Sequence, residues 1–332
     1  MMKQFAYPKV GLLILFCIVI LIVVLAANVG AMPLSFNTLW QLPLTDNHWQ
    51  IWLTIRLPRI LLALLVGCAL AVAGAIMQGL FRNPLADPGL LGISSGATLS
   101  VALFIVLPLP ISSLLSDYGY LIAAFVGGFI VAIVIFLLTH YSNGQLTKLL
   151  LSGIAINTLC VSFIGVLSYV SEDQQLRSLT LWMLGSLSQN NGAILAIAAS
   201  IISLTMFMVL QQSMKLNLLQ LGDEEAYCLG LKVKKSKFIL LVLSSLLIGC
   251  AVALSGIIGF IGLVVPHLIR MTFGANHKWL LPASALAGAA LLLIADTIAR
   301  TLATPAEIPV GLITGLIGAP YFLYLILKQS QG

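Results

Sequence analysis

Charged side chains are scarce in this sequence. They make up 8% of the 332 residues, whereas soluble domains carry about 25%. Hydrophobic residues reach 60%, compared with roughly 45–50% in soluble domains. A soluble protein of this length could not cover its surface with so few charges. Lipid is therefore the solvent for most of the chain.

Short alternating polar and apolar segments are also missing. In lipid, only helices and closed barrels satisfy the backbone hydrogen bonds, and barrel strands alternate over roughly ten residues. The apolar runs here are long and unbroken. We therefore predict an all-α polytopic membrane protein that forms a single domain over residues 1–332.

Motifs for catalysis and metal binding are absent. There is no GxxxxGK[ST] phosphate loop and no HExxH, and the four histidines form no ligand cluster. The five cysteines are odd in number and have no CxxC spacing, which favours small buried residues over disulfides or metal ligands. We expect no catalytic, cofactor or metal site in this chain. Membrane orientation explains the net charge of +6 better than nucleic-acid binding does.

Hydropathy predicts ten membrane spans, because each needs about 20 mostly apolar residues. The spans are 10–29, 59–80, 90–108, 119–139, 147–170, 193–211, 237–256, 257–270, 279–303 and 309–327. The eighth is short, which suits a re-entrant helix as well as a full crossing. The first is too long for a cleaved signal peptide, whose apolar region has about 7–15 residues, so we predict an uncleaved helix.

The distribution of basic residues predicts the orientation. With both termini in the cytoplasm, the predicted outer segments contain only Arg56, Arg59, Arg177 and Arg300. The predicted inner segments contain Lys3, Lys9, Arg82, Lys148, Lys215, Lys232, Lys234, Lys235, Lys237, Arg270, Lys278 and Lys328. Inner loops of membrane proteins carry such an excess of Lys and Arg.

An internal repeat connects the second and seventh spans. LLVGCALAVAG at Leu64–Gly74 matches LLIGCAVALSG at Leu246–Gly256, and the same offset places Pro84 on Pro266. Five crossings separate the copies, so they run in opposite directions. Inverted repeats of this kind are typical of transporters.

The most polar stretch, residues 214–237, is predicted to lie in the cytoplasm. Gly222 separates two short helical pieces. Asp223 can cap the second piece, Glu224 and Glu225 lie in its first turn, and Gly230 can end it. Short surface helices with leucines on one side suit docking to a soluble partner.

The outer arginines require an explanation, because the positive-inside pattern disfavours them. Arg56, Arg59 and Arg300 could dock to acidic groups on an external partner or reach lipid phosphates, and their chemistry alone leaves both readings open. Asp296, the clearest acid inside a span, lies one turn from Arg300 and is predicted to pair with it.

An interfacial helix is predicted between the fifth and sixth spans, within residues 171–187. Its Arg177 could meet an anionic substrate at the mouth of a pathway, or pair with Asp173 one turn earlier. The spacing favours the pair.

Five segments resemble the FecCD family of permeases for ferric siderophores, haem and vitamin B12. These are RLPR at Arg56–Arg59, FRNPLADPGLLGISSGA at Phe81–Ala97, GFIGLVVPHLIR at Gly259–Arg270, LLPASALAGAALLLIADTIAR at Leu280–Arg300 and EIPVGLITGLIGAPYF at Glu307–Phe322. The resemblance covers essentially the whole chain. It implies the type II ABC importer permease fold, with ten helices in each subunit of a homodimer in the bacterial inner membrane.

The resemblance also implies partners and site residues. Two cytoplasmic ATPase subunits would bind ATP and Mg, and a periplasmic binding protein would deliver the substrate. The segment GDEEAYCLG resembles the coupling helices of the family, which adds Ala226 to Gly222, Asp223, Glu224, Glu225 and Gly230. In the vitamin B12 permease, matching arginines meet glutamates of the binding protein, which favours docking for Arg56, Arg59 and Arg300.

The expected function is import of an iron complex, with haem favoured over a ferric siderophore. Cobalamin import by the same architecture is the alternative. An ion-coupled secondary transporter is the alternative from another class, but such a transporter requires more intramembrane acids than this chain has.

Overall fold

The computed structural model describes residues 8–30, 43, 46–107, 118–141, 146–188, 191–303 and 306–329. These ranges contain fourteen α-helices. They are α1 Pro8–Asn28, α2 Asn47–Ile51, α3 Leu57–Leu80, α4 Ile93–Val106, α5 Gly119–Tyr141, α6 Leu146–Val170, α7 Asp173–Met183, α8 Gly192–Gln211, α9 Ser213–Leu221, α10 Asp223–Cys228, α11 Val233–Ser255, α12 Ile261–Phe273, α13 His277–Thr301 and α14 Val310–Gln329. A π-helix, Trp52–Arg56, joins α2 to α3, and a 3-10 helix, Pro88–Leu91, precedes α4.

The all-helical membrane architecture is confirmed. Six helical stretches within the described ranges are long and apolar enough to span a membrane: 8–28, 47–80, 148–170, 192–211, 233–255 and 277–301. Shorter apolar helices lie at 93–106, 119–135, 261–273 and 310–324. Together these ten segments match the ten predicted spans. Lys3, used above for the orientation, lies outside the described residues.

The second span is the centre of the bundle. In its most apolar stretch 78% of the residues are buried, compared with 22% for α1. Glycines make this burial possible, because two helices can approach closely only where side chains are small. A Cβ added at Gly67 would lie 2.3 Å from the Gly288 carbonyl oxygen on α13, and one at Gly79 would lie 2.7 Å from His277 Nε2. Since residue numbers rise along α3 as they fall along α13, the two helices are antiparallel.

The two copies of the repeat also run in opposite directions. Arg82 follows α3 and Lys237 lies in the first turns of α11, yet both side chains contact the carboxylate of Asp223. The end of α3 and the start of α11 are therefore neighbours, as expected for an inverted repeat. The copies differ at their last glycine: Gly74 lies inside α3, whereas Gly256 adopts a positive φ of 67° and ends α11.

This topology decides the path of the eighth segment. Because α11 and α13 are each antiparallel to α3, they run in the same direction, so residues 256–276 must return across the bundle. The return consists of a non-helical stretch at 256–260 and α12. Thirteen helical residues rise about 20 Å, and the non-helical stretch spans the remaining distance. The eighth segment therefore crosses and is not re-entrant.

Candidate partner-binding surfaces

The two ends of the bundle carry different polar groups. We call them the α9 end, which contains α9 and α10, and the α7 end, which contains α7 and the start of α3. The segment at the α9 end divides as predicted: α9 ends at Leu221 and α10 begins at Asp223. Gly222 between them has φ 143° and ψ 157°, a conformation essentially restricted to glycine.

The predicted capping role of Asp223 is wrong. Gly222 is the N-cap residue of α10, and Asp223 is the first residue of the helix with no side-chain capping bond. Its carboxylate instead pairs with Arg82 Nη2 and with Lys237 Nζ, the latter at 2.5 Å. Two cations from neighbouring elements compete more strongly for a carboxylate than a backbone N–H does. Asp223 therefore ties α10 to α3 and α11.

Helix α9 is held in place by a polar cluster and by buried leucines. Asn217 Oδ1 accepts from the backbone N–H of His277 (2.8 Å), and Asn217 Nδ2 donates to Asn276 Oδ1 (2.9 Å). Leu216 and Leu219 are 0% and 1% exposed. The segment is thus fixed against the start of α13 and is not a freely solvated linker.

An apolar and acidic surface remains exposed at this end. Leu221, Tyr227 and Leu229 are each at least 60% exposed, and Glu224 and Glu225 are exposed beside them. Together these five residues form what we call the coupling surface. Ala226 is fully buried and packs α10 against the rest of the protein. Large apolar side chains exposed among charged ones are typical of interaction sites.

The α7 end is organised around Arg59. The π-helix and Pro58 lead into α3 and turn this side chain towards α13, where Arg59 Nε and Nη2 each lie 2.9 Å from Asp296 Oδ1. Its Nη1 donates to both carboxylate oxygens of Glu307, at 2.9 and 2.8 Å. Asp296 is fully buried. The predicted pair between Asp296 and Arg300 is present but longer, at 3.6 Å.

The other two arginines bind the end of α1. Arg56 Nη1 donates to the carbonyl of Ala27 (2.8 Å), and Arg300 Nη2 donates to the carbonyl of Ala26 (2.9 Å). The last carbonyls of a helix have no partner within it, and cations there also stabilise the helix dipole. These side chains therefore provide hydrogen-bond donors for two of the last carbonyl groups of α1.

All three arginines are deeply placed, with exposures of 5–7%. Their docking role stays a prediction. Hydropathy correctly placed Arg59 and Asp296 near the same end of the bundle, but no sequence signal joined Arg59 to Glu307. The sequence reasoning also missed Arg82 and Lys237, because only the fold brings them to Asp223.

The predicted Asp173–Arg177 pair is wrong. Helix α7 forms with Leu179 as its buried residue and a capping box between Glu172 and Gln175. Asp173 and Arg177 are both exposed, and they form no ion pair with each other within the described residues. An exposed pair gains little in water and loses side-chain entropy. The role of Arg177 at a pathway mouth stays a prediction.

Comparison with known proteins shows to which family this architecture belongs. The sequence model of the FecCD transport family matches residues 17–328. The chain belongs to the FecCD transport family. It is therefore a membrane permease of the ABC-importer type, a class that works with ATPase and substrate-binding partners.

Individual relatives in this family cover nearly the whole chain. The hemin transport system permease protein HmuU of Yersinia pestis is 59% identical over 98% of this chain and 97% of its own. The vitamin B12 import permease BtuC of Vibrio vulnificus is 37% identical over 97% and 95%. A solved structure titled as an inward-facing metal-chelate type ABC transporter gives a TM-score of 0.86 at 36% identity, over 97% of this chain and 100% of that one.

Proposed function

We propose that this FecCD permease carries an iron complex, with haem as the favoured cargo, from the periplasm to the cytoplasm. The observation that carries the proposal is the 59% identity to the hemin permease of Yersinia pestis over 98% of the chain. The vitamin B12 permease, at 37% identity, supports cobalamin as the alternative cargo of the same architecture. A ferric siderophore is the second iron complex that this architecture would carry by the same pathway.

Cargo identity is tested by uptake. The permease is reconstituted into liposomes with its ATPase and substrate-binding protein, and labelled haem, ferric siderophore and cobalamin are supplied separately. We expect ATP-dependent accumulation of haem alone. Accumulation of cobalamin or of the siderophore in place of haem would refute the cargo assignment but leave the importer function intact.

ATP hydrolysis belongs, in this proposal, to two cytoplasmic subunits that bind ATP and Mg. The coupling surface of Leu221, Glu224, Glu225, Tyr227 and Leu229 supports their docking, because it combines exposed apolar and acidic groups on helices anchored to the bundle. The basic residues near this end support its cytoplasmic orientation, with both termini on the same side in the inner membrane. The permease itself would act as a homodimer.

A periplasmic binding protein would dock at the α7 end through Arg56, Arg59 and Arg300. The five charged groups of this cluster, completed by Asp296 and Glu307, leave one net positive charge. A carboxylate on the partner complements that charge, since arginine binds carboxylates as a fork. Arg177 would lie near the mouth of the pathway.

Ion-coupled transport receives no support from the site. Intramembrane acids that bind protons or cations must exchange them, yet Asp296 is fully buried and bonded to Arg59. Uptake by the reconstituted complex is therefore expected to stop without ATP and to survive dissipation of the proton gradient. The reverse result would establish the secondary transporter.

A further inference from the structure

One carboxylate of the α7 end differs from its neighbours in exposure. Glu307 is 48% exposed, whereas Asp296, which binds the same guanidinium group, is 0% exposed. Glu307 lies in the connection from α13 to α14, three residues before α14 begins at Val310. Its carboxylate accepts hydrogen bonds from Arg59 Nη1 through both oxygens and is still half-exposed.

All donor nitrogens of Arg59 are occupied. Nε and Nη2 bind Asp296, and Nη1 binds both oxygens of Glu307. A carboxylate from another protein that binds this guanidinium in the same way must displace one of the two acids. Asp296 cannot leave, because a buried carboxylate without a partner is strongly destabilised. Glu307 can, because water hydrates a half-exposed carboxylate at small cost.

We propose that Glu307 occupies the docking position on Arg59 as an internal substitute, and that a carboxylate of the soluble binding protein takes that position by exchange. The inference rests on the proposed function, since it presumes a partner at the α7 end. Its chemistry is limited to the exchange of one charge-assisted hydrogen-bond pair for another. The partner group is a carboxylate on a protein surface, because the position now holds a carboxylate that accepts from Arg59 Nη1 through both oxygens.

Exchange would also release a constraint on α14. While Glu307 binds Arg59, the connection is held to α3, and Ile308 N–H donates to the Ala299 carbonyl (3.2 Å). After exchange the connection keeps its bond to α13 but loses the bond to α3. Docking at the α7 end would thus weaken the attachment of the residues that precede α14, a helix that extends to the other end of the bundle.

The first test needs no partner. Phenylglyoxal modifies accessible arginine side chains, and peptide mass spectrometry measures its rate at Arg59 in the purified permease. In Glu307→Gln the uncharged amide holds the guanidinium less strongly, so we expect modification at least about threefold faster than in the wild type. The control Asp173→Asn removes one exposed carboxylate on α7 and should leave the rate unchanged. Equal rates in all three proteins would overturn the proposal.

The second test measures docking. The Kd of the haem-loaded binding protein for the permease–ATPase complex in nanodiscs is determined at low and high salt. Glu307→Gln should lower Kd by up to about fivefold, because it removes a competitor worth about one exposed ion pair, and added salt should reduce the gain. Glu307→Ala should act in the same direction, and Asp173→Asn should remain within about twofold of the wild type.

The two tests separate the possible failures. Unchanged or weaker binding by both Glu307 variants would overturn exchange while leaving the importer function standing. If the wild-type complex binds no substrate-binding protein at all, the docking function itself is refuted, whatever the phenylglyoxal rates. Thermal unfolding of each variant checks that the substitution at the half-exposed Glu307 leaves the fold intact.

Discussion

Gly67 and Gly249 occupy equivalent positions in the inverted repeat, yet their surroundings are opposite. A Cβ at Gly67 would stand 2.3 Å from the carbonyl oxygen of Gly288, whereas one at Gly249 would have nothing within 4 Å. Replacing either residue by alanine improves helix propensity by about 1 kcal/mol. Only Gly67→Ala must also push two backbones apart, by about 1 Å, to restore a normal contact distance.

Overpacking of this kind costs about 1–3 kcal/mol. Because the propensity gain is common to both variants, this cost is the expected difference between them. At about 2–4 °C per kcal/mol, a 2 kcal/mol difference lowers the Tm of Gly67→Ala by about 4–8 °C relative to Gly249→Ala.

The assay is thermal unfolding of both proteins in one detergent, followed by tryptophan fluorescence. Gly249→Ala should match or exceed the wild type, because its methyl group enters the open space beside α11. If the two variants unfold at the same temperature, or if Gly249→Ala is the less stable, the close contact between α3 and α13 does not govern the stability difference.

Three further outcomes are expected. Asp296→Asn should lower the free energy of unfolding by about 3–5 kcal/mol, measured as a fall in Tm, because it leaves Arg59 buried with a weakened partner; a stability equal to that of the wild type would contradict the pairing. Charge reversal of Glu224 and Glu225 together should reduce cargo-stimulated ATP hydrolysis in the reconstituted complex with only a small fall in Tm, because acids in the first turn stabilise α10 by about 0.3–1 kcal/mol each. Unaltered stimulation would refute the coupling surface. Gly222→Ala should lower the free energy of unfolding by about 1–3 kcal/mol, since alanine avoids the backbone conformation at this position. An unchanged Tm would show that the backbone between α9 and α10 can adopt another conformation.

Local features of the chain were predictable. The ten apolar segments, the break at Gly222 and the short helix between the fifth and sixth spans follow from patterns within a few turns of sequence. Two local predictions were nevertheless wrong. Asp223 does not cap α10, because Arg82 and Lys237 arrive from elsewhere in the fold. Asp173 forms no pair with Arg177, because water competes with both exposed side chains.

Composition and pattern were enough to show that this protein lies in a membrane, that it is helical, and that two of its spans are inverted copies. Hydropathy and repeats carry that information, because transfer into lipid depends on composition. Three features became visible only in the folded chain: the eighth segment crosses, Gly67 faces a neighbouring backbone whereas Gly249 does not, and Arg59 meets Glu307 across 248 positions of sequence. Contacts of this kind depend on which helix faces lie together, and equally apolar sequences leave that choice open.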